Sequence, residues 1–336
     1  DSSIDEDILY YSSLLGALDS LSYGVTAVFD HHASMNLDRG SLVIEAEAMA
    51  HAGIRAILCL ETSDRRGQKA MMRQVEENIS FWEQHRNDPF LGGMFGLHAN
   101  MTLSAETLSF ISRSKPKEMP IHAHCGEASV DLDFCRAEGF AGPVDRFSSF
   151  GLIDGGSFLI HCVHLAEEDH RILKETGAVV VLNPESNANN RVGVPGRERL
   201  PGHLLGTDGM TGDIIAALRS YYLLGEGNKE PFPRMEDMMF RRPAEILSRH
   251  LPGAFGFHPG AAADIAVLDY VPLSPIHESN LLGHLLFGAK GGRAFLTAVN
   301  GRILWIKGEF PEHDIQALRR EAQRAARKLA NRFQSR

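Results

Sequence analysis

Seven times along this chain a short apolar or β-branched run ends in a polar cluster, and helical segments fall between the runs. The runs cover 24–32, 54–64, 92–100, 119–127, 156–164, 178–187 and 203–210. Amphipathic stretches follow at 41–53, 69–84, 104–114 and 165–177, with Ser104 placed as an N-cap. This alternation predicts a parallel sheet with right-handed crossovers. The polar residues sit at the C-terminal ends of the runs, time after time. A (β/α)8 barrel builds its active site there, from the ends of several strands. A doubly wound sheet would concentrate its ligand at one switch point, and no dinucleotide glycine fingerprint is present near the start. The expected fold is therefore α/β, a TIM-like (β/α)8 barrel with seven of its eight strands countable.

Composition narrows the function. A chain of 336 residues can hold one large barrel. Asp and Glu number 43 against 34 Lys and Arg, which argues against a protein that wraps nucleic acid. No apolar run is long enough to span a bilayer and no signal peptide is visible, so no membrane partner is expected. The four cysteines, Cys59, Cys125, Cys135 and Cys162, fall inside periodic segments rather than a framework. They read as reduced thiols of a cytoplasmic protein.

The chemistry concentrates in "IHAHCGE" (121–127), which carries His122, His124 and Glu127. If His124 ends a strand, Glu127 lies in the loop just past it and reaches the same volume. His161 ends the next strand. Asp208 ends the last, in "GTDG", where flanking glycines allow a sharp turn. Two imidazoles and a carboxylate suit one divalent metal in an open site, Zn2+ first and Fe2+ as the alternative. Such a metal lowers the pKa of bound water to about 7. Glu127 could then carry a proton to a leaving group.

"IHAHCGE", "LIHCVHL", "NPESNANN" and "LGTDGM", in this order, resemble the amidohydrolase superfamily. The branch is that of aminohydrolases and chlorohydrolases acting on heterocycles, which includes guanine and cytosine deaminases. "VFDHHAS", "GLHANMTLS" and "NNRVG" are most similar to the aminohydrolases called SsnA. The resemblance implies His124 as a metal ligand and Glu127 as proton shuttle. It implies that His161 touches the metal-bound water and, in some members, the metal. Asp208 would be ligand and general base, and His98 a substrate contact. It also implies a His-x-His metal pair on a first strand that nothing in the first twenty residues matches. That strand is expected to be absent from this sequence. An upstream segment, favoured here, a shortened homologue or a separate polypeptide would explain it. Relatives have histidine where this chain has Leu182, just before the "NP" of 183–184. Leu182 is therefore expected to reshape the substrate pocket.

Other residues admit two readings. One of His31 and His32 should face the barrel mouth, as substrate contact or as a structural hydrogen bond; His32 is the one assigned to substrate. His122 points with His124 but lies deeper, favouring a buried structural role over metal contact. His164 is read as capping or bonding a ligand from behind. Asn183, opening 183–190, is assigned to substrate, although asparagines at turns also satisfy backbone. Arg65 and Arg66 could bind an anion, but a solvated loop is favoured; 288–293 is read as a flexible loop. The expected domains are the barrel (1–255), a remnant of a flanking β domain (256–310) and a C-terminal amphipathic helix (311–336). That helix aligns Ile315, Leu318, Ala322, Ala325, Leu329 and Phe333 on one face, for docking on its own barrel or a second subunit. The expected function is metal-dependent hydrolysis of a non-peptide C–N bond in a small heterocyclic substrate such as a purine or pyrimidine derivative, by a homodimer. The alternative is an inactive homologue serving as a binding or assembly subunit.

Overall fold

The computed structural model describes residues 3–225, 232–289 and 292–334. The chain opens with α1 (Glu6–Ser22), started by Asp5, whose carboxylate accepts the Ile8 N–H at 3.0 Å. Strand and helix then alternate: β1 (Ala27–His32), α2 (Ser41–Ala52), β2 (Arg55–Leu60), α3 (Gln68–Gln84), β3 (Leu91–Gly93), β4 (Phe95–Leu97) and α4 (Ala105–Ser114). Ser104 caps α4, its hydroxyl accepting from the Thr107 N–H at 3.2 Å. β5 (Ile121–Cys125) leads into α5 (Ser129–Ala137) and α6 (Pro143–Ser149). After β6 (Phe158–His161) come α7 (Glu167–Thr176), β7 (Val179–Leu182), α8 (Pro184–Asn190) and β8 (His203–Leu205). The wall ends with α9 (Ile214–Leu224), α10 (Phe232–Glu236) and α11 (Arg242–His250).

The strands form one curved parallel wall in chain order. β1, β2 and β3 pair in one sheet, β4 to β8 in the next. β3 and β4 are halves of a single strand broken at Met94. The Met94 N–H bonds the Leu58 carbonyl at 3.0 Å, while the next N–H, of Phe95, bonds the Pro120 carbonyl at 2.9 Å. Thr62 bridges Leu97 across the break. Glycine is needed at Gly96, where a Cβ would meet the Leu60 carbonyl oxygen at 2.2 Å. With the broken strand counted once, seven parallel strands stand side by side. Among the described residues β1 and β8 are not joined to each other, so the wall has a seam.

Alternation along these strands divides the core into two layers. Inward residues include Ile57, Cys59, Met94, Phe158, Ile160, Val179, Val181 and Leu204, closed below by Leu247, Leu251 and Phe255. Phe29 stacks on Phe158 across the lumen, ring centroids 4.6 Å apart. Outward residues, including Leu97, Ala123, Leu159, Val180 and Leu182, pack under the helices with Leu108, Leu173 and Leu218. Leu182 thus faces the helix layer. The expectation that it lines the substrate pocket is wrong, because β7 turns Val181 and Asn183 inward and Leu182 away.

Beyond the barrel, β9 (Ile265–Leu268), β10 (Ala294–Val299) and β11 (Arg302–Ile306) form an antiparallel sheet with β10 central. It is tied to the barrel by a buried ion pair, Arg55 Nε to Asp264 Oδ2 at 2.7 Å. The short α12 (Leu281–Gly283) lies between these strands in sequence. Leu282, Leu285 and Leu286 pack into the outer barrel layer, where Leu268 of β9 joins them. Of the loop read at 288–293, Lys290 and Gly291 lie outside the described residues.

The last helix, α13 (Ile315–Gln334), docks on α1 of its own chain, through Lys328 on Asp7 and Arg332 on Asp5. Ala322 and Ala325 are buried there, but Phe333 is exposed. Arg332 already meets Ser3 and Asp5, ahead of the first residue of α1, so the α1 surface ends before it can cover Phe333. No helix among the described residues is long and apolar enough to cross a membrane.

Candidate active site

The C-terminal ends of the strands gather an imidazole cluster. The His124 ring lies 4.5 Å from His31, 5.4 Å from His98 and 5.7 Å from His161, centroid to centroid, and His31 lies 5.0 Å from His122. Strand parity produces this cluster: Phe29 and His31 face inward on β1, His122 and His124 on β5. His32 therefore faces outward. Asp30, on that same face, hydrogen-bonds the buried Glu45 of α2, whose carboxyl is pushed well up by burial and by Asp30. Of the two, His31 rather than His32 faces the mouth, and its Nε2 is 3.0 Å from the Leu97 carbonyl oxygen and so carries the proton. Both faces of a barrel strand are buried, so hydrophobic alternation could not separate the two.

Burial dominates the protonation of this cluster. It drives His122 and His124 well below the ordinary imidazole value, with neighbouring histidines adding to the effect. It also lowers His31 and His98, against the opposing pull of Glu61. The Nδ1 atoms of His122 and His124 are buried without a hydrogen-bond partner among the described residues. Glu61, absent from the expected site residues, reaches the mouth from just beyond β2. It is 7% exposed, pairs with Arg65 and lies 3.8 Å from His98 Nε2. Arg65 is thus bound at the mouth. His98 is fixed from behind by Thr102, 2.8 Å from its Nδ1.

His161 enters the site by an exception to alternation. Parity on β6 would turn it outward with Leu159. Instead its φ is 73°, and the Cys162 N–H bonds back to the Ile160 carbonyl at 3.1 Å. This is a γ-turn with positive φ, a rare and strained conformation. It swings the ring inward, 1% exposed. Asp208 is also left-handed, at φ 52°. Backbone strain of this kind clusters at functional sites. Nothing in the sequence predicts the turn, since His161 carries a Cβ.

His161 Nε2 stands between two carboxylates, 3.8 Å from Glu127 Oε2 and 3.9 Å from Asp208 Oδ2. Neither distance is a direct hydrogen bond, so the three groups stand close together without bonding one another. Glu127, His161 and Asp208 thus converge, with His124 and His98 on the same mouth. Asn183 belongs to the inward face of β7 and lies over β8, where a Cβ on Gly206 would meet its Oδ1 at 2.3 Å. His164 Nε2 contacts the Val192 carbonyl at 2.8 Å, behind the site.

The donor types suit zinc or iron, and His124 Nδ1 is an orphaned buried atom. Even so, among the described residues no group of three or more His, Cys, Asp or Glu donors converges tightly enough to hold a metal ion. As placed, the described residues do not complete a metal site.

A parallel αβ wall with imidazoles and paired carboxylates at its C-terminal mouth defines a barrel of the hydrolase type. The chain belongs to the amidohydrolase family, whose model matches residues 1–304. It is 28% identical over 343 aligned positions to the 5-methylthioadenosine/S-adenosylhomocysteine deaminase of Pelotomaculum thermopropionicum, spanning 97% of this chain and 76% of that protein. Its fold matches an adenosine deaminase from Xanthomonas campestris with bound zinc, at TM-score 0.85 and 19% identity, over 98% of this chain and 76% of that one. It also matches a mutant of the atrazine chlorohydrolase TrzN from Arthrobacter aurescens TC1 complexed with zinc and atraton, at TM-score 0.80 and 18% identity, over 96% and 78%.

Proposed function

We propose that this mouth catalyses hydrolytic deamination of an amino-substituted purine or its nucleoside, releasing ammonia. The observation that carries the reading is the placement of Glu127 and Asp208 on either side of His161 Nε2, at 3.8 and 3.9 Å. A water seated over these three atoms, to one side of the line joining them, would touch all three groups. Glu127 takes a proton from it as its oxygen bonds the amino-bearing carbon, and passes that proton to the adjacent ring nitrogen. Asp208 then takes the proton of the new hydroxyl and hands it to the departing amine. The C–N bond breaks, and a carbonyl and ammonia result. His161 holds the water by its ring nitrogen, and His98, His31 and Asn183 face the heterocycle. The relatives named for 5-methylthioadenosine and S-adenosylhomocysteine support a nucleoside over a free base.

One divalent cation, zinc before iron, belongs to this reading on donor type alone, with His124 and Asp208 as its ligands; His161, expected as a third, is taken up by the water. A cytoplasmic homodimer belongs to it too; the four cysteines are free and buried, as a reducing compartment allows. The test supplies zinc to the purified protein and follows ammonia release from 5-methylthioadenosine, S-adenosylhomocysteine, adenosine, guanine and cytosine. Turnover of one of the nucleosides supports the reading. Bound zinc with no ammonia from any of them overturns it. That outcome favours the inactive-subunit alternative.

A further inference from the structure

One short helix touches all three groups set around the proposed water. α8 spans seven residues, Pro184–Asn190, and is closed by Arg191 in the left-handed conformation. From it the Ser186 hydroxyl donates to Asp208 Oδ2 at 2.6 Å. Asn187 Oδ1 accepts from His161 Nδ1 at 2.8 Å. Asn190 Nδ2 donates to Glu127 Oε1 at 3.1 Å. The helix is itself anchored on its far side, where Glu185 accepts from the Ser220 hydroxyl of α9 at 3.0 Å. After it, the Asn187 carbonyl accepts the Val192 N–H and the Val192 carbonyl meets His164.

We propose that α8 is a positioning element, and that Asn187 sets the working tautomer of His161. The inference rests on the deaminase reading for the meaning of the three groups. An amide oxygen can only accept, so it holds the proton on His161 Nδ1 and leaves Nε2 bare toward the proposed water. A bare Nε2 accepts a hydrogen bond from water and turns the water's oxygen lone pair toward the substrate. The opposite tautomer would donate to that oxygen and occupy the lone pair that attacks. Ser186 and Asn190 each bind one carboxylate oxygen. Asp208 Oδ2 and Glu127 Oε2, the atoms nearest His161, are thereby fixed in direction. One helix coordinates three strand ends because its residues 186, 187 and 190 lie within about one turn of each other. Partners of this kind, behind the reacting groups, typically alter activity by roughly 10- to 100-fold when removed.

Nitrogen-15 NMR of the histidine-labelled protein, with His161 assigned by its loss in His161→Gln, reads the tautomer directly. The expected wild-type signal is Nδ1 protonated and Nε2 bare. Asn187→Leu, similar in size but without an acceptor, should abolish that preference. It should also lower kcat by roughly 10- to 100-fold with KM changed far less. Asn187→Asp keeps an acceptor in place and should keep the tautomer and restore most of kcat. A wild-type His161 protonated at Nε2 overturns the proposal, since it would mean that the Asn187 amide is turned over and donates. So would an Asn187→Leu protein that retains both tautomer and kcat. The tautomer of the wild-type protein is read without any substrate. A failed ammonia assay therefore sinks the deaminase reading without deciding this one.

Discussion

Leu182 separates a pocket role from a core role. Its side chain is 1% exposed and packs in the outer layer of the barrel, under the helices. Leu182→Ala removes three carbon groups, worth about 0.8 kcal/mol each in transfer, or about 2.4 kcal/mol. The unfilled cavity raises the loss to about 3–5 kcal/mol. Leu182→His keeps roughly the volume but places a ring N–H among aliphatic neighbours. It forfeits about 2 kcal/mol of apolar burial and adds about 1–3 kcal/mol for the unpaired donor. Both variants should therefore unfold at much lower urea, by about 3–5 kcal/mol. Near the unfolding threshold, the folded fraction should retain the wild-type KM, because no substrate atom meets residue 182. Urea denaturation and steady-state kinetics check the two halves. A Leu182→His protein of unchanged stability with altered substrate choice would refute the packing argument and return this residue to the pocket.

Glu127→Gln should keep the fold and reduce turnover by roughly 10²-fold or more, measured as ammonia release on protein with an unchanged circular dichroism spectrum. Asp264→Ala should cost about 3–5 kcal/mol in urea denaturation, because it strands the Arg55 guanidinium, whose side chain is 2% exposed. A loss below about 1 kcal/mol would mean that the small sheet is not tied to the barrel through this pair. His203 makes stability depend on pH. Burial and the nearby Arg234 hold it down to about 3, while the unfolded ring titrates near 6.5. Between those values the unfolded state binds the extra proton, so stability falls as pH drops, by up to about 1.4 kcal/mol per unit, with no contribution above 6.5. Urea midpoints from pH 7 to 4 should fall less steeply in His203→Gln; an unchanged slope would assign the titration to other groups.

The sequence alone determined the wall of the barrel. Runs that end in polar residues, spaced by helix-length segments, admit few folds, and β5, β6 and β8 present His124, His161 and Asp208 at the ends where such runs predict them. Glu127 was legible for the same reason, being three residues past His124 on the loop that the strand throws out. What alternation could not determine is which way a residue points in a strand buried on both faces. His31 and His32 are neighbours of one kind, and only the packing of Phe29 on Phe158 and of Asp30 against Glu45 assigns them to opposite sides. Leu182 failed by the same ambiguity. Tertiary structure alone brought Glu61 beside His98, residues separated along the chain by the whole of α3. It alone turned His161 inward, through a strained backbone that no residue type announces. And it laid Ser186, Asn187 and Asn190 of one short helix against the ends of three different strands. Their contacts depend on how the wall curves, and curvature arises from the packing of all the strands together.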